Sequence, residues 1–200
     1  MASSTVNYTL YYHAIPFRGQ FMRVAFAMTA TPWVEGDPKE MYRLKGLEIG
    51  DKDSVPFLAP PLLHDAEDAL WLSQTPAIMA HLALKLGMVP ESRRLAALAL
   101  KVLCDCNDIL NEVTEQCGHK MWTAATFASF RESRFPRWLA MLEALASREG
   151  RLEADKGYFL GTAAPTLADV AVIAVLHTLE RSFVEFKDDL RKHVSFVDRR

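Results

Sequence analysis

The chain has 200 residues, of which 50% are hydrophobic, and a formal net charge of −2. This is enough for a substantial buried core in one domain or two small ones, and the lack of excess positive charge argues against nucleic-acid or anionic-membrane partners. No apolar run reaches the roughly 20 residues that cross a bilayer, and the N-terminal MASSTVN lacks the features of a secretory signal.

The first half of the sequence alternates strand and helix signals. The segment Tyr8–Tyr12 is rich in β-forming residues and predicts a strand, and a loop containing Pro16 follows it. A helix is predicted from about Gln20 to 29–32, then a short strand at 33–35 and one irregular helix around 39–47.

A proline-entered hairpin is predicted next. Pro60-Pro61 precedes the apolar run Leu62-Leu63, and a proline is tolerated at the first residue of a strand because its missing N–H costs least there. The polar break 64–68 is short enough for a hairpin turn, and Ala69–Leu72 is the second strand. A cis X-Pro bond costs only about 0.5–1 kcal/mol. If cis, the bond between the two prolines would offer the Pro60 carbonyl to an extended ligand.

The following helix is predicted to start at a polar segment. Thr75 is a plausible N-cap and Pro76 fits the first turn, while Ile78, Leu82 and Leu86 repeat every fourth residue on one apolar face. The free N–H groups and positive dipole at such a helix start favour an anion. Together with the Pro60 carbonyl, which would hydrogen-bond an extended backbone, this anion site suits a short anionic peptide.

From Ser92 onward no strand is predicted, and the apolar pattern is helical. One long amphipathic helix is predicted over Leu95–Glu115, and another over Thr126–Arg148, which Pro136 should kink or restart. Three cysteines, Cys104, Cys106 and Cys117, form no Cys-x-x-Cys pair, so we expect reduced thiols in a cytosolic protein. No His, Cys and carboxylate set has ligand spacing, so no metal is expected.

A strong helix start is predicted near the end of the chain. Thr166 and Asp169 form a capping box, in which the hydroxyl and the carboxylate each accept a backbone N–H. The run Val170–Leu179 is apolar nearly all round, so this helix should be central in the second half.

The order of elements in the first half is that of a thioredoxin-like α/β unit. Gly87 can end one helix and Pro90 precedes the next, so 87–91 is interpreted as a linker. We therefore predict an α/β thioredoxin-like N-terminal domain over 1–86 and an all-helical (all-α) C-terminal domain over 92–200.

These motifs resemble the cytosolic glutathione transferase family, and in particular small bacterial members of its Tyr-type group. The match comprises Pro61, the hairpin to Leu72 and the sequence Gln74-Thr75-x-x-Ile78. The segment from Tyr158 to Asp169 resembles the start of the buried helix in the family's helical domain. After Phe186 this sequence continues only to Arg200, whereas family members usually carry a longer terminal helix, which often covers the electrophile pocket.

The resemblance implies that the sulfur of glutathione attacks a hydrophobic electrophile. Tyr12, at the end of the first strand, would donate the hydrogen bond that favours the thiolate, with Tyr11 on the opposite strand face and His13 as rivals. Lowering a thiol pKa by about two units needs roughly 2.7 kcal/mol. One hydrogen bond to a charged group supplies about 1.5–3 kcal/mol, so a single hydroxyl can do most of this.

The resemblance also implies binding residues for glutathione. Gln74 and Thr75 would hold the γ-glutamyl end, and Pro60 at the bond to Pro61 would contact the cysteinyl backbone. Arg18 or Gln20 would approach the carboxylates. The more distant candidates are Trp33 and Lys45 at the glycyl end, and Asp105, contributed to the site of the partner subunit in a homodimer.

The second-substrate pocket would lie between the domains. Its expected lining is His119, Met121, Trp122 and the loop after Tyr12. Because a fold does not fix a function, two alternatives stay open. One is a non-catalytic binding or assembly protein on the same fold, and the other is a glutathione-dependent isomerase or peroxidase.

Overall fold

A four-stranded mixed sheet organises the N-terminal region of the computed structural model, which describes residues 6–115, 120–121, 123–149 and 157–193. Its strands run in the spatial order β2-β1-β3-β4, with β1 parallel to β2, antiparallel to β3, and β3 antiparallel to β4. They are β1 (Tyr8–Tyr11), β2 (Trp33–Glu35), β3 (Leu62–Asp65) and β4 (Leu70–Ser73).

Three helices accompany this sheet, and the predicted order of elements is confirmed. They are α1 (Gln20–Met28), α2 (Pro38–Lys45) and α3 (Thr75–Lys85). The α2 helix is regular rather than irregular, because Asp37 caps it by accepting the Lys39 N–H at 2.8 Å and Pro38 occupies the first turn.

The alternation of side chains in β1 determines what each face of the sheet contacts. Tyr8 and Leu10 are buried with α1, where the Tyr8 ring lies 5.2 Å from that of Phe26. Tyr11 points to the other face, where its ring lies 5.7 Å from that of Trp71. The residue after the strand, Tyr12, is therefore directed to the same side as α1.

A helical region follows, and its helices share one hydrophobic core with the sheet region. Helix α7 packs against both α4 and α1, and nearly all its residues up to Leu179 are buried, which confirms that it is central. The elements are α4 (Arg93–Glu112), β5 (Thr114–Glu115), β6 (Lys120–Met121), α5 (Ala124–Ser129), α6 (Phe135–Arg148), α7 (Leu167–Ser182) and α8 (Glu185–His193).

Two sequence predictions for this region need correction. No strand was expected, yet β5 pairs antiparallel with β6 after the long helix ends at Glu112. Each strand has only two residues, too few for an alternating pattern to show. The helix predicted over Thr126–Arg148 is interrupted by a π-helical turn, Phe130–Arg134, and restarts with Pro136 in the first turn of α6 as predicted.

No helix in the described part of the chain is long and apolar enough to span a membrane.

Candidate functional site

Tyr12 lies buried at the end of the sheet, at the contact between the loop after β1 and α1. It is 5% exposed, and its hydroxyl oxygen accepts the backbone N–H of Arg18 at 3.2 Å. Gly19 lies against the ring, where a Cβ would be 2.4 Å from the nearest ring atom, so only glycine leaves room. Burial raises the pKa of the Tyr12 phenol, opposed by the charges of Arg18 and Arg23. The phenol therefore keeps its proton at neutral pH and can donate it in a hydrogen bond.

The two rival donors differ in their placement. Tyr11 lies on the other face of the sheet, with Gly36 against its ring. Burial raises its pKa as well. His13 stays beside Tyr12, with ring centroids 5.3 Å apart, and lies 6.2 Å from the ring of Tyr42 on α2.

Arg18 reaches from the loop toward the helical region. Its guanidinium donates to the side-chain oxygen of Asn111, on the last turn of α4, at 2.6 Å. Gln20, the alternative predicted at this place, is half-buried at the start of α1 and lines a shallow groove with Arg23 and Glu35. The structure therefore brings Arg18, rather than Gln20, into direct contact with Tyr12 through the backbone.

Arg23 organises the loop after Tyr12, and the sequence analysis missed it. Its guanidinium donates to the carbonyls of His13 at 3.0 Å and Ile15 at 2.9 Å, and to the Glu35 carboxylate at 2.6 Å. Its central carbon lies 5.8 Å from the centroid of the Tyr12 ring. The only signal in the sequence was a cation near a predicted helix start, where the helix dipole is unfavourable.

The start of α3 lies beside the hairpin and has an unusual backbone. The Pro60-Pro61 bond is cis, as anticipated, and Pro61 is buried at the entrance of β3. Gln74, not Thr75, is the N-cap, with φ 72° and ψ 112°, so the predicted cap position was wrong by one residue. A positive φ is rare for a residue with a long side chain and marks a backbone held under strain.

Thr75 is the first residue of α3, and its side chain is buried. It is 2% exposed, and its hydroxyl oxygen is buried with no hydrogen bond to any described residue. Pro76 follows in the first turn, where its missing N–H is harmless. The positive end of an 11-residue helix therefore carries a buried, unpaired hydroxyl that can bind an anionic group.

The more distant candidates are engaged elsewhere or lie on the surface. Trp33 stacks on Phe26 with ring centroids 5.5 Å apart, Lys45 is exposed at the end of α2, and Asp105 pairs with Lys101 on α4. A role for any of them in binding glutathione remains a prediction. Of the predicted pocket lining, His119, Trp122 and the side chain of Met121 lie outside the described residues.

A second cluster of polar residues lies at the far end of the hairpin. Ligand atoms of Asp65, Asp68 and His81 come within 4.8 Å of one another. Lys85 supplies positive charge there, with its ammonium 3.0 Å from Asp68 and 3.8 Å from Asp65, while His81 contacts Asp65 at 2.8 Å. These contacts form a network that holds α3 to the hairpin.

Comparison with known proteins gives both a family match and structural likenesses. A family model described as the glutathione S-transferase C-terminal domain matches residues 98–198. Among solved structures, the Pi-class glutathione S-transferase of Onchocerca volvulus has a TM-score of 0.69 at 17% identity, over 94% of this chain and 83% of that one. The glutathione S-transferase of Ascaris lumbricoides has a TM-score of 0.66 at 19% identity, over 96% and 91%.

Prostaglandin synthase D of Nilaparvata lugens is also similar, with a TM-score of 0.65 at 17% identity, over 94% of this chain and 86% of that one. No curated protein matches the chain in sequence. At these identities, the structural likenesses show that the four-stranded mixed sheet and the helical region form the fold shared by those proteins.

Proposed function

The chain belongs to the glutathione S-transferase family, and from this premise we propose that it conjugates the thiolate of glutathione to hydrophobic electrophiles. Glutathione is the co-substrate. We also propose that the chain is divided into a thioredoxin-like domain over 1–86, a linker at 87–91 and a helical domain over 92–200. The proposal also includes a cytosolic homodimer, in which Asp105 of one subunit assists the site of the other.

The buried hydroxyl of Thr75 is the observation that carries the proposal. A buried polar group without a partner costs about 1–3 kcal/mol, and a ligand that accepts its hydrogen bond removes that cost. The hydroxyl lies at the positive end of α3 and follows the strained Gln74, and it has no partner in the described ranges. The α-carboxylate of the γ-glutamyl group fits this position in charge and in hydrogen-bonding capacity.

Tyr12 is the proposed donor to the sulfur. Its oxygen already accepts the Arg18 N–H, so its own proton is free to be donated to a ligand. An accepted hydrogen bond polarises a hydroxyl and strengthens it as a donor. In the reaction the thiol proton passes to water, and a sulfur lone pair forms a bond to the electrophilic carbon. A leaving group then departs with its electron pair or, in an addition, the product takes up a proton.

The test is titration calorimetry of glutathione, combined with the ultraviolet absorbance of the bound thiolate as a function of pH. Wild type should bind glutathione and ionise its thiol below the pKa of the free peptide. Tyr12→Phe should bind but lose that shift, whereas the matched control Tyr11→Phe, on the opposite strand face, should retain it.

Other results would redirect the proposal. Failure of wild type to bind at millimolar glutathione would support the non-catalytic alternative. Loss of the shift in Tyr11→Phe, or its persistence in Tyr12→Phe, would move the donor to Tyr11 or His13. If the pKa of the bound thiol is lowered as expected but no electrophile is conjugated, the result would favour an isomerase or peroxidase.

A further inference from the structure

The contact between Arg18 and Asn111 joins the two regions of the chain next to Tyr12. A guanidinium nitrogen of Arg18 lies 2.6 Å from the side-chain oxygen of Asn111, and the two residues are 93 positions apart in the sequence. The amide nitrogen of Asn111 lies 3.4 Å from a carboxylate oxygen of Asp108, one turn earlier on α4. That hydrogen bond orients the side chain of Asn111 so that its oxygen faces Arg18.

The partner of Arg18 is neutral, which sets this arginine apart from others in the molecule. Arg23 and Arg134 each pair with a carboxylate, Glu35 and Glu112 respectively. Among the described residues no carboxylate forms an ion pair with Arg18. Arg18 is therefore fixed in place by a short hydrogen bond to a neutral group, and the Asp108 carboxylate on α4 is separated from it by the Asn111 amide.

The charge of Arg18 acts on the Tyr12 hydroxyl. The backbone N–H of Arg18 donates to the Tyr12 hydroxyl oxygen at 3.2 Å. Burial raises the pKa of the Tyr12 phenol, and the charge and hydrogen bonds of Arg18 oppose the rise, together with the charge of Arg23. A positive charge that favours a negative charge on the Tyr12 oxygen also favours one on a sulfur that accepts a hydrogen bond from Tyr12, because the two atoms lie close together in the same electrostatic field.

We propose that Asn111 is a positioning residue of the reaction, which holds the guanidinium of Arg18 near the Tyr12 hydroxyl without neutralising it. This inference rests on the proposed function. An aspartate at 111 would hold Arg18 equally well but would cancel its charge, and an alanine would release the side chain. The last turn of α4 thereby contributes to the ionisation of a thiol bound mainly by the other region.

Two variants test the assignment through the pKa of the bound thiol, measured by thiolate absorbance in the glutathione complex. Asn111→Ala should raise that pKa, and Asn111→Asp should raise it further, by roughly one unit in total, since a neighbouring charge typically shifts a pKa by that much or more. The kcat should fall at neutral pH with a smaller change in KM. Asn107→Ala, the same change on the same helix, is the matched control and should leave the pKa unchanged.

A double variant separates positioning from a merely structural contact. In an Arg18→Ala background, Asn111→Ala should have no further effect on the pKa, because its action passes through Arg18. Equal shifts with and without Arg18, or no shift in Asn111→Ala, would overturn the inference while leaving the transferase proposal intact. Absence of glutathione binding in wild type would instead defeat the proposed function, and the inference with it.

Discussion

Helices α3 and α7 each begin beside a buried threonine, Thr75 and Thr166, but the two hydroxyls are used in opposite ways. At α7 the Thr166 hydroxyl bonds the Asp169 carboxylate at 2.9 Å and accepts the Ala168 N–H at 3.3 Å. At α3 the Thr75 hydroxyl is buried without a partner in the described chain. The N-cap residues of the two helices also differ in backbone conformation: Thr166 is extended at φ −121°, whereas Gln74 has a positive φ of 72°.

The difference separates a helix start whose threonine hydroxyl is satisfied within the fold from one whose threonine hydroxyl is not. The Asp169 carboxylate accepts three hydrogen bonds. Two come from the backbone N–H groups of Phe159 at 2.7 Å and Thr166 at 2.8 Å, and the third comes from the Thr166 hydroxyl. The α7 start thus satisfies its own backbone, as a capping box should. The α3 start lacks a side-chain cap, which is the basis for proposing that it binds a carboxylate.

The largest expected effect comes from removing the Asp169 carboxylate. Asp169→Ala removes the carboxylate that accepts the buried N–H groups of Phe159 and Thr166, so it should lower the free energy of unfolding by about 3–5 kcal/mol. Urea denaturation measures this. Glu180→Ala, on the exposed face of the same helix, should change it by less than about 0.5 kcal/mol. A loss below about 1 kcal/mol in Asp169→Ala would contradict the role assigned to the box.

The same substitution at the two threonines should give opposite results. Thr75→Val removes an unpaired hydroxyl, so the free energy of unfolding without ligand should equal that of wild type or be slightly higher. Its Kd for glutathione should rise about tenfold or more, since a hydrogen bond to a charged group contributes about 1.5–3 kcal/mol. Thr166→Val should instead lower stability and leave the Kd unchanged. Calorimetry measures the Kd and urea denaturation measures the stability. An unchanged Kd in Thr75→Val, or an unchanged stability in Thr166→Val, would contradict the role given to that threonine.

The smallest expected effect concerns the strained backbone of Gln74. Gln74→Gly should raise the free energy of unfolding by about 1 kcal/mol, because glycine adopts a positive φ without steric cost. Glutathione affinity should fall several-fold with loss of the carboxamide. Ala30→Gly, at φ 51° and exposed after α1, is the control that should gain stability without losing affinity. Unchanged affinity in Gln74→Gly would remove Gln74 from the proposed ligand contacts.

Local patterns in the sequence predicted most of the fold. The proline pair, the hairpin and the Thr166–Asp169 box are short motifs whose geometry follows from a few adjacent residues, and all three are confirmed. The α7 helix was identified from apolar residues around its whole circumference. These features depend on steric and hydrogen-bonding preferences that act within a few positions.

What the sequence did not reveal depends on distant contacts or on small shifts of register. Arg23 and Asn111 matter through partners brought close by folding, 93 positions apart for Asn111 and Arg18. The cap of α3 was misplaced because Gln74 and Thr75 are both polar, and nothing local predicts a positive φ for glutamine. The π-helical turn Phe130–Arg134 has the composition of an ordinary helix.

The network at the far end of the hairpin has a consequence for binding. His81 and Lys85 tie the last turns of α3 to Asp65, which is 1% exposed in β3. These contacts form within the chain itself, so the conformational entropy of docking α3 on the hairpin is lost during folding rather than on association. If glutathione binds at the start of α3 as proposed, it would lose mainly its own conformational freedom, so more of its contact energy would appear as affinity.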